Sequence, residues 1–187
     1  MVEDFELVKK IKSGDVQAFE VLMKKYHRQV CKFVYTIVQD NEAVKDISQE
    51  TFISIYNSIY RFKEEGRFTT WLFQIAKNKS IDYLRKNKRN NMEGENELSS
   101  RESHEESIDK ILEFKERKKS VEGFIGGLSL INRKLLYLKY YHPELTFKDI
   151  GDILELKEQA TKNRYYDLHK RYIRYEEERK GGDIYEM

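Results

Sequence analysis

Phe19-Glu20-Val21-Leu22-Met23-Lys24-Lys25-Tyr26-His27-Arg28-Gln29-Val30-Cys31-Lys32-Phe33-Val34-Tyr35-Thr36-Ile37 is the stretch that decides the fold. Its inward candidates are Phe19, Leu22, Met23, Tyr26, Val30, Phe33, Val34 and Ile37, separated by steps of 3, 1, 3, 4, 3, 1 and 3. Steps of three and four place apolar groups in one stripe of a 3.6-residue helix, whereas a strand would alternate. Working outward, Asp15 is a helix N-cap and Gly14 ends an earlier helix that runs from Phe5 to about Ser13. On the other side Gln39-Asp40-Asn41 is the stop.

The same period recurs. Val44, Ile47, Thr51, Ile55 and Ile59 form the inward stripe of a helix beginning near Glu42, while Asp46, Gln49, Glu50 and Ile53 lie on another face. The pattern lapses from Tyr60 to Arg67, and Gly66 marks a loop. Thr69 or Thr70 is expected to cap the next helix, with Trp71, Leu72, Ile75 and Ala76 inward and a basic end at Lys86, Lys88 and Arg89. From Asn87 to about Ser107 the chain is Asn, Glu, Ser and Arg, too polar to offset the entropy of ordering, and reads as a linker. Apolar residues return at Ile108, Ile111, Leu112 and Phe114. Val121, Phe124, Ile125 and Leu128 make a short stripe, and Ile131 to Tyr141 another, with Leu135, Leu136 and Leu138. His142-Pro143-Glu144 breaks the chain, and Thr146 caps a helix carrying Phe147, Ile150, Ile153 and Leu154. A turn at Glu155-Leu156-Lys157 leads to a last helix from Glu158 to about Tyr175. The expectation is an all-α chain: two small helical domains, residues 1–90 and 116–175, joined by a flexible linker over 91–115, with a tail over 176–187.

Composition narrows the function. Pro143 is the only proline, which suits a helical chain. With a net charge of only +2, basic groups that serve nucleic acid must be gathered in patches. Cys31 is the only cysteine, so an intramolecular disulfide and a thiolate zinc site are both excluded. Its apolar neighbours Val30, Phe33 and Val34 suggest a buried small side chain, a reactive thiol being the alternative. The longest apolar run, Phe33 to Val38, is far short of the ~20 residues of a membrane span. The start, Met1-Val2-Glu3-Asp4, is acidic where a signal peptide is basic. A soluble, cytoplasmic protein is expected.

Helix, tight turn, helix, with Lys162, Asn163, Arg164 and Lys170 on the second helix, is the outline of a helix-turn-helix DNA reader. Two further stretches carry a resemblance. Asp46-Ile47-Ser48-Gln49-Glu50-Thr51-Phe52 resembles region 2.2 of the sigma-70 family of bacterial RNA polymerase sigma factors. Phe68-Thr69-Thr70-Trp71-Leu72-Phe73-Gln74-Ile75-Ala76-Lys77-Asn78, followed by Asp82, Leu84 and Arg85, looks like regions 2.3 and 2.4. The helix-turn-helix sits where that family keeps region 4. The reduced layout, without region 1.1 and most of region 3, resembles the extracytoplasmic-function (ECF) group.

The resemblance implies a protein without catalysis, cofactor, metal or small-molecule substrate, which lends the polymerase its promoter specificity. Asp46, Gln49, Glu50 and Ile53 would dock on the polymerase clamp, where arginines meet carboxylates in charge-assisted pairs. Opened −10 DNA needs aromatic faces, an edge-reading group and cations. Tyr60, Phe62 and Phe68 would supply faces or pocket walls, Asn78 the reader, and Lys63, Arg67, Lys77, Arg85, Lys86, Lys88 and Arg89 the cations. Trp71 reads as core, and Asp82 with Arg85 as a structural ion pair. Lys162, Asn163, Arg164, Tyr166 and Lys170 would face duplex −35 DNA, Lys162 and Arg164 suiting phosphate or guanine and Asn163 adenine. The second domain would also touch the polymerase flap. An anti-sigma factor, often membrane-bound in the family, is implied as a partner.

The chain departs from the family pattern in four places. Gln159-Ala160-Thr161 replaces Gly-Thr-Val, Asp167 occupies a commonly basic position, Ile150-Gly151 replaces Ile-Ala, and Leu128-Ser129 replaces Leu-Pro. An acidic residue near bases favours cytosine's amino group and repels phosphate, so the usual −35 consensus does not carry over.

Two rival classes fit the sequence less well. A conventional helix-turn-helix regulator would bind a palindrome as a dimer, but residues 1–89 hold no sustained heptads and Asp46–Phe52 has no role in it. An enzyme lacks its groups: His27, His104, His142 and His169 are scattered, and Asp46 with Glu50 finds no third ligand. Without the resemblance, the Asp46 face would read as solvated surface.

Overall fold

The computed structural model describes residues 2–63, 66–90 and 120–182, all helix and connecting turns. The helices are α1 (Val2–Lys12), α2 (Val16–Val38), α3 (Asn41–Ser58), α4 (Phe68–Asn90), α5 (120–126), α6 (Leu130–Tyr141), α7 (Phe147–Leu154) and α8 (Glu158–Gly182), with a 3-10 turn at Ile59–Arg61 after α3. The linker expected over 91–115, and the apolar residues Ile108 to Phe114, lie outside the described residues.

α2 is the central element. Asp15 caps it by accepting from the Ala18 amide, and Gln39 ends it in the left-handed region, its N–H bonded to the Tyr35 carbonyl. Leu22, Tyr26, Val30, Phe33, Val34 and Ile37 are buried from its stripe, and α1, α3 and α4 all pack on it. Asp40 caps α3 through the amides of Glu42 and Ala43, and Val44, Ile47, Thr51 and Ile55 face inward as the periodicity requires. Asp4 ties α1 to α2, accepting from Tyr26 Oη and Lys25 Nζ, each at 2.8 Å. Cys31 differs from expectation: it is half-buried and contacts the His27 ring.

α4 starts at Phe68, one residue before the expected caps. Phe68 is anchored among Tyr26, Phe62 and Trp71, which pulls Thr69 and Thr70 into the helix, where both are buried. The buried set of α4 also includes Phe73, which the stripe omitted. Its ring meets Phe33 of α2 on one side and His142 on the other, so α4 is covered on two sides. Full burial of such side chains contributes about 1.5–3 kcal/mol each.

In the second group of helices Thr146 caps α7 through a reciprocal box with Asp149. Ile150, Ile153, Leu154, Leu135, Leu138 and Leu168 are buried there. Val121 and Ile125, expected inward, are exposed, while Phe124 packs on Tyr172 and Tyr175. α8 continues to Gly182, past the expected end at Tyr175. Its Glu, Arg and Lys residues are good helix formers, and Glu176 takes a hydrogen bond from Ser120.

The two groups pack directly against each other. α7 lies on α4 and α6 on α2, with Tyr137 Oη donating to the Gln29 carbonyl at 2.8 Å.

Candidate functional surfaces

Three sets of side chains come together, on α3, on α4 with the turn before it, and on α8. On α3, Asp46, Gln49, Glu50 and Ile53 are all exposed. Their 0, 3, 4, 7 spacing puts them in one row opposite the buried stripe, because Ile47, Thr51 and Ile55 fix which side of the helix faces inward. Glu50 takes a 3.4 Å contact from Lys79 of α4, an exposed and therefore weak pair. Two carboxylates, an amide and an aliphatic group beside them make a face suited to a basic partner.

The second set is mixed. Tyr60 is 68% exposed, and Lys63, Asn78, Arg85 and Lys86 are also exposed. Phe62 and Phe68 are buried against each other and Trp71, so in this arrangement they are walls, and their faces are not open for stacking. Trp71 is half-buried in that cluster, as a core side chain would be. Lys88 and Arg89 belong to the last turn of α4, and their side chains lie outside the described residues. Asp82 and Arg85 stand 3.8 Å apart on the surface.

Arg67 and Lys77 are both engaged by the second group of helices. Arg67 Nε is 3.3 Å from Asp149 Oδ2, and Lys77 Nζ is 2.5 Å from Glu155 Oε1. Between them Thr70 donates to Asp149 Oδ1 at 3.3 Å, and Gln74 to the Asp152 carbonyl at 3.2 Å. Lys77 is only 4% exposed. Its hydrogen bond and charge hold the Glu155 carboxyl below the usual carboxylate range. Lys134 of α6 stands nearby; burial lowers its pKa, the charge of Lys77 adds to that, and Glu155 opposes it.

The third set lies on α8. Lys162, Asn163, Arg164, Tyr166 and Lys170 are exposed, as is Asp167, while Thr161 and Leu168 face inward. Asn132 of α6 accepts from Arg164 Nη1 at 3.1 Å, and Gln159 donates to Asn163 Oδ1 at 2.9 Å. Sequence reasoning missed both supports. The Gln159–Asn163 pair has an i,i+4 signature, whereas Asn132–Arg164 crosses between helices and leaves none.

The described helices thus carry an exposed acidic row on α3, a basic helix α4, and a helix, tight turn and helix in α7 and α8. Residues 22–90 match Sigma-70 region 2. The chain is 33% identical over 82 residues to the RNA polymerase sigma-H factor of Pseudomonas aeruginosa, covering 44% of this chain and 42% of that protein. It is 28% identical over 138 residues to the ECF RNA polymerase sigma factor SigM of Bacillus subtilis, covering 74% of this chain and 82% of that protein. The matched stretch thus spans less than half the length of the first of these relatives. The fold matches that of the sigma factor RpoE solved with the anti-sigma factor NepR from Bartonella quintana, at a TM-score of 0.66 and 15% identity, over 85% of this chain and 96% of that one. It also matches CnrH, solved with the cytosolic domain of CnrY, at a TM-score of 0.63 and 18% identity over 91% and 94%. Among the described residues no helix is long and apolar enough to cross a membrane.

Proposed function

We propose that the chain is an ECF-type sigma factor that directs bacterial core RNA polymerase to its promoters. The observation that carries this reading is the exposed row Asp46, Gln49, Glu50 and Ile53, set beside the basic helix α4 within the stretch that matches region 2. The row docks on the polymerase clamp. Tyr60, Lys63, Arg67, Lys77, Asn78, Arg85, Lys86, Lys88 and Arg89 hold the −10 strand, with Phe62 and Phe68 as walls beneath. Lys162, Asn163, Arg164, Tyr166 and Lys170 hold the −35 duplex, and the unit over 116–175 touches the flap. The chain works in the cytoplasm, and an anti-sigma factor, soluble or membrane-bound, is its regulator. Chemistry stays in the polymerase; the sigma factor contributes by holding open promoter DNA better than closed.

Run-off transcription tests this. The purified chain is added to sigma-free core on sheared genomic DNA of the source organism, and transcript starts are sequenced. Discrete new starts sharing −10 and −35 elements are expected. No starts and no co-elution with core would instead favour a conventional helix-turn-helix regulator.

A further inference from the structure

The polar stripe of α4 and the acidic edge of α7 match in register. Arg67, the residue before α4, and Thr70, Gln74 and Lys77 on α4 recur at steps of three and four and fall in one row. They meet, in the same order, Asp149, Asp149 again, the Asp152 carbonyl and Glu155. Two carboxylates and a carbonyl occupy the cations and donors that a nucleic-acid backbone would otherwise take, a complementarity of phosphate-like charge. The aromatic contact of Phe73 with His142 lies on the same seam, 4.6 Å between centroids.

We infer that α7 is an intramolecular latch on the −10 surface: Asp149 and Glu155 stand in for DNA phosphates, and the free chain binds the −10 strand only after α7 leaves α4. The inference rests on the reading of Arg67 and Lys77 as −10 contacts. Geometry requires the opening. The −10 and −35 elements lie about 25 base pairs apart, roughly 85 Å of duplex, whereas Arg67 and Asp149 are in contact. Residues 91–119, fully extended, reach on the order of 100 Å, enough to let the units separate to that distance.

The latch is selective. The row Asp46, Gln49, Glu50 and Ile53 is exposed in the closed chain, and so are Lys162, Asn163, Arg164, Tyr166 and Lys170. Polymerase docking and −35 capture therefore proceed with the latch shut, and only the −10 step waits for it. Glu155 is the point at which to release it. Its carboxylate pairs with Lys77 and its charge also acts on Lys134, so its removal leaves both ammonium groups without that opposing charge. Asp149 is less useful, since it also caps α7.

The test compares the full-length chain with Glu155→Gln and Glu155→Lys, whose side chain is 77% exposed, so that folding is undisturbed. Small-angle scattering reads the separation of the units. Anisotropy of a fluorescein-labelled, random-sequence 12-nucleotide single strand at low salt reads access to the stripe. Both variants are expected to raise the radius of gyration by more than about a tenth and to bind the strand about three- to ten-fold more tightly. Lys77→Gln placed in the Glu155→Lys chain should reverse that gain. Unchanged scattering and unchanged affinity in both Glu155 variants would overturn the latch. An expanded chain whose affinity neither rises nor responds to Lys77→Gln would overturn the −10 reading on which the latch rests, and the latch with it.

Discussion

Gly151 lies so close to Leu156 that a β-carbon added to it would stand 2.6 Å from the Leu156 carbonyl oxygen. The Leu156 amide donates to the Gly151 carbonyl at 2.8 Å, and Glu155 between them takes a left-handed conformation, φ 60°. The turn of the helix-turn-helix is therefore folded tightly onto α7, which explains why this chain carries Gly where the family pattern carries Ala. On helix propensity alone Gly151→Ala would stabilise α7 by about 1 kcal/mol. The clash is with backbone, which cannot rotate away, and overpacking of this kind costs about 1–3 kcal/mol. A net loss of stability is expected, read as a lower urea midpoint.

His142 gives the fold a pH dependence. The side chain is buried, and its Nε2 has no hydrogen-bond partner. Burial lowers its pKa, the 3.1 Å contact of Nδ1 with Glu144 opposing this only in part. A histidine whose folded pKa lies below its unfolded one binds fewer protons when folded, so stability is complete above the unfolded value, about 6.5, and is lost as pH falls through the folded one. The urea midpoint should drop between pH 7.5 and pH 5.5, and His142→Gln should flatten that slope. An equal slope in the variant would place the titration elsewhere.

On α3 the triple change Asp46→Ala, Gln49→Ala and Glu50→Ala removes exposed groups, of which Glu50 holds a surface pair with Lys79. Stability should move by less than about 0.5 kcal/mol per site. Affinity for core polymerase should fall by on the order of ten-fold or more, because interfacial charge pairs that lose a partner cost several kcal/mol. Thermal melting together with fluorescence titration of core separates the two effects. Unchanged core affinity would show that the row is solvated surface.

The single-stripe helices were legible because the residues they bury recur at helical spacing along the chain. α2 and α3 follow their periodicity residue for residue at Leu22, Val30 and Phe33, and at Ile47 and Ile55. Phe73 was missed because α4 is sandwiched, and a helix covered on two sides has no single stripe to read. α4 starts two residues before a Thr69 cap would place it, because Phe68 is fixed by tertiary contacts, which outweigh the capping preference of Thr69 and Thr70. The rows on α3 and α8 were legible through family resemblance joined to helical spacing. The pairing of Arg67 and Lys77 with Asp149 and Glu155 was not. It links positions some eighty residues apart, and nothing periodic in one sequence marks such a contact.

Substitution of Asn78 tests base reading apart from phosphate binding. It is exposed on α4 directly after the engaged Lys77, and no buried contact depends on it. Asn78→Ala should leave stability within about 0.5 kcal/mol and core affinity unchanged. An amide that pairs with a base edge contributes about 1–3 kcal/mol of discrimination, so the variant should flatten the ranking of −10 sequences by roughly five- to a hundred-fold at the position it reads. Lys86→Ala, by contrast, should lower activity on all −10 sequences alike, since a phosphate contact carries no sequence information. Run-off transcription from a library of −10 variants measures both. If Asn78→Ala lowers every promoter equally and keeps the ranking, the reader of the −10 element is another residue of α4 or of the turn before it.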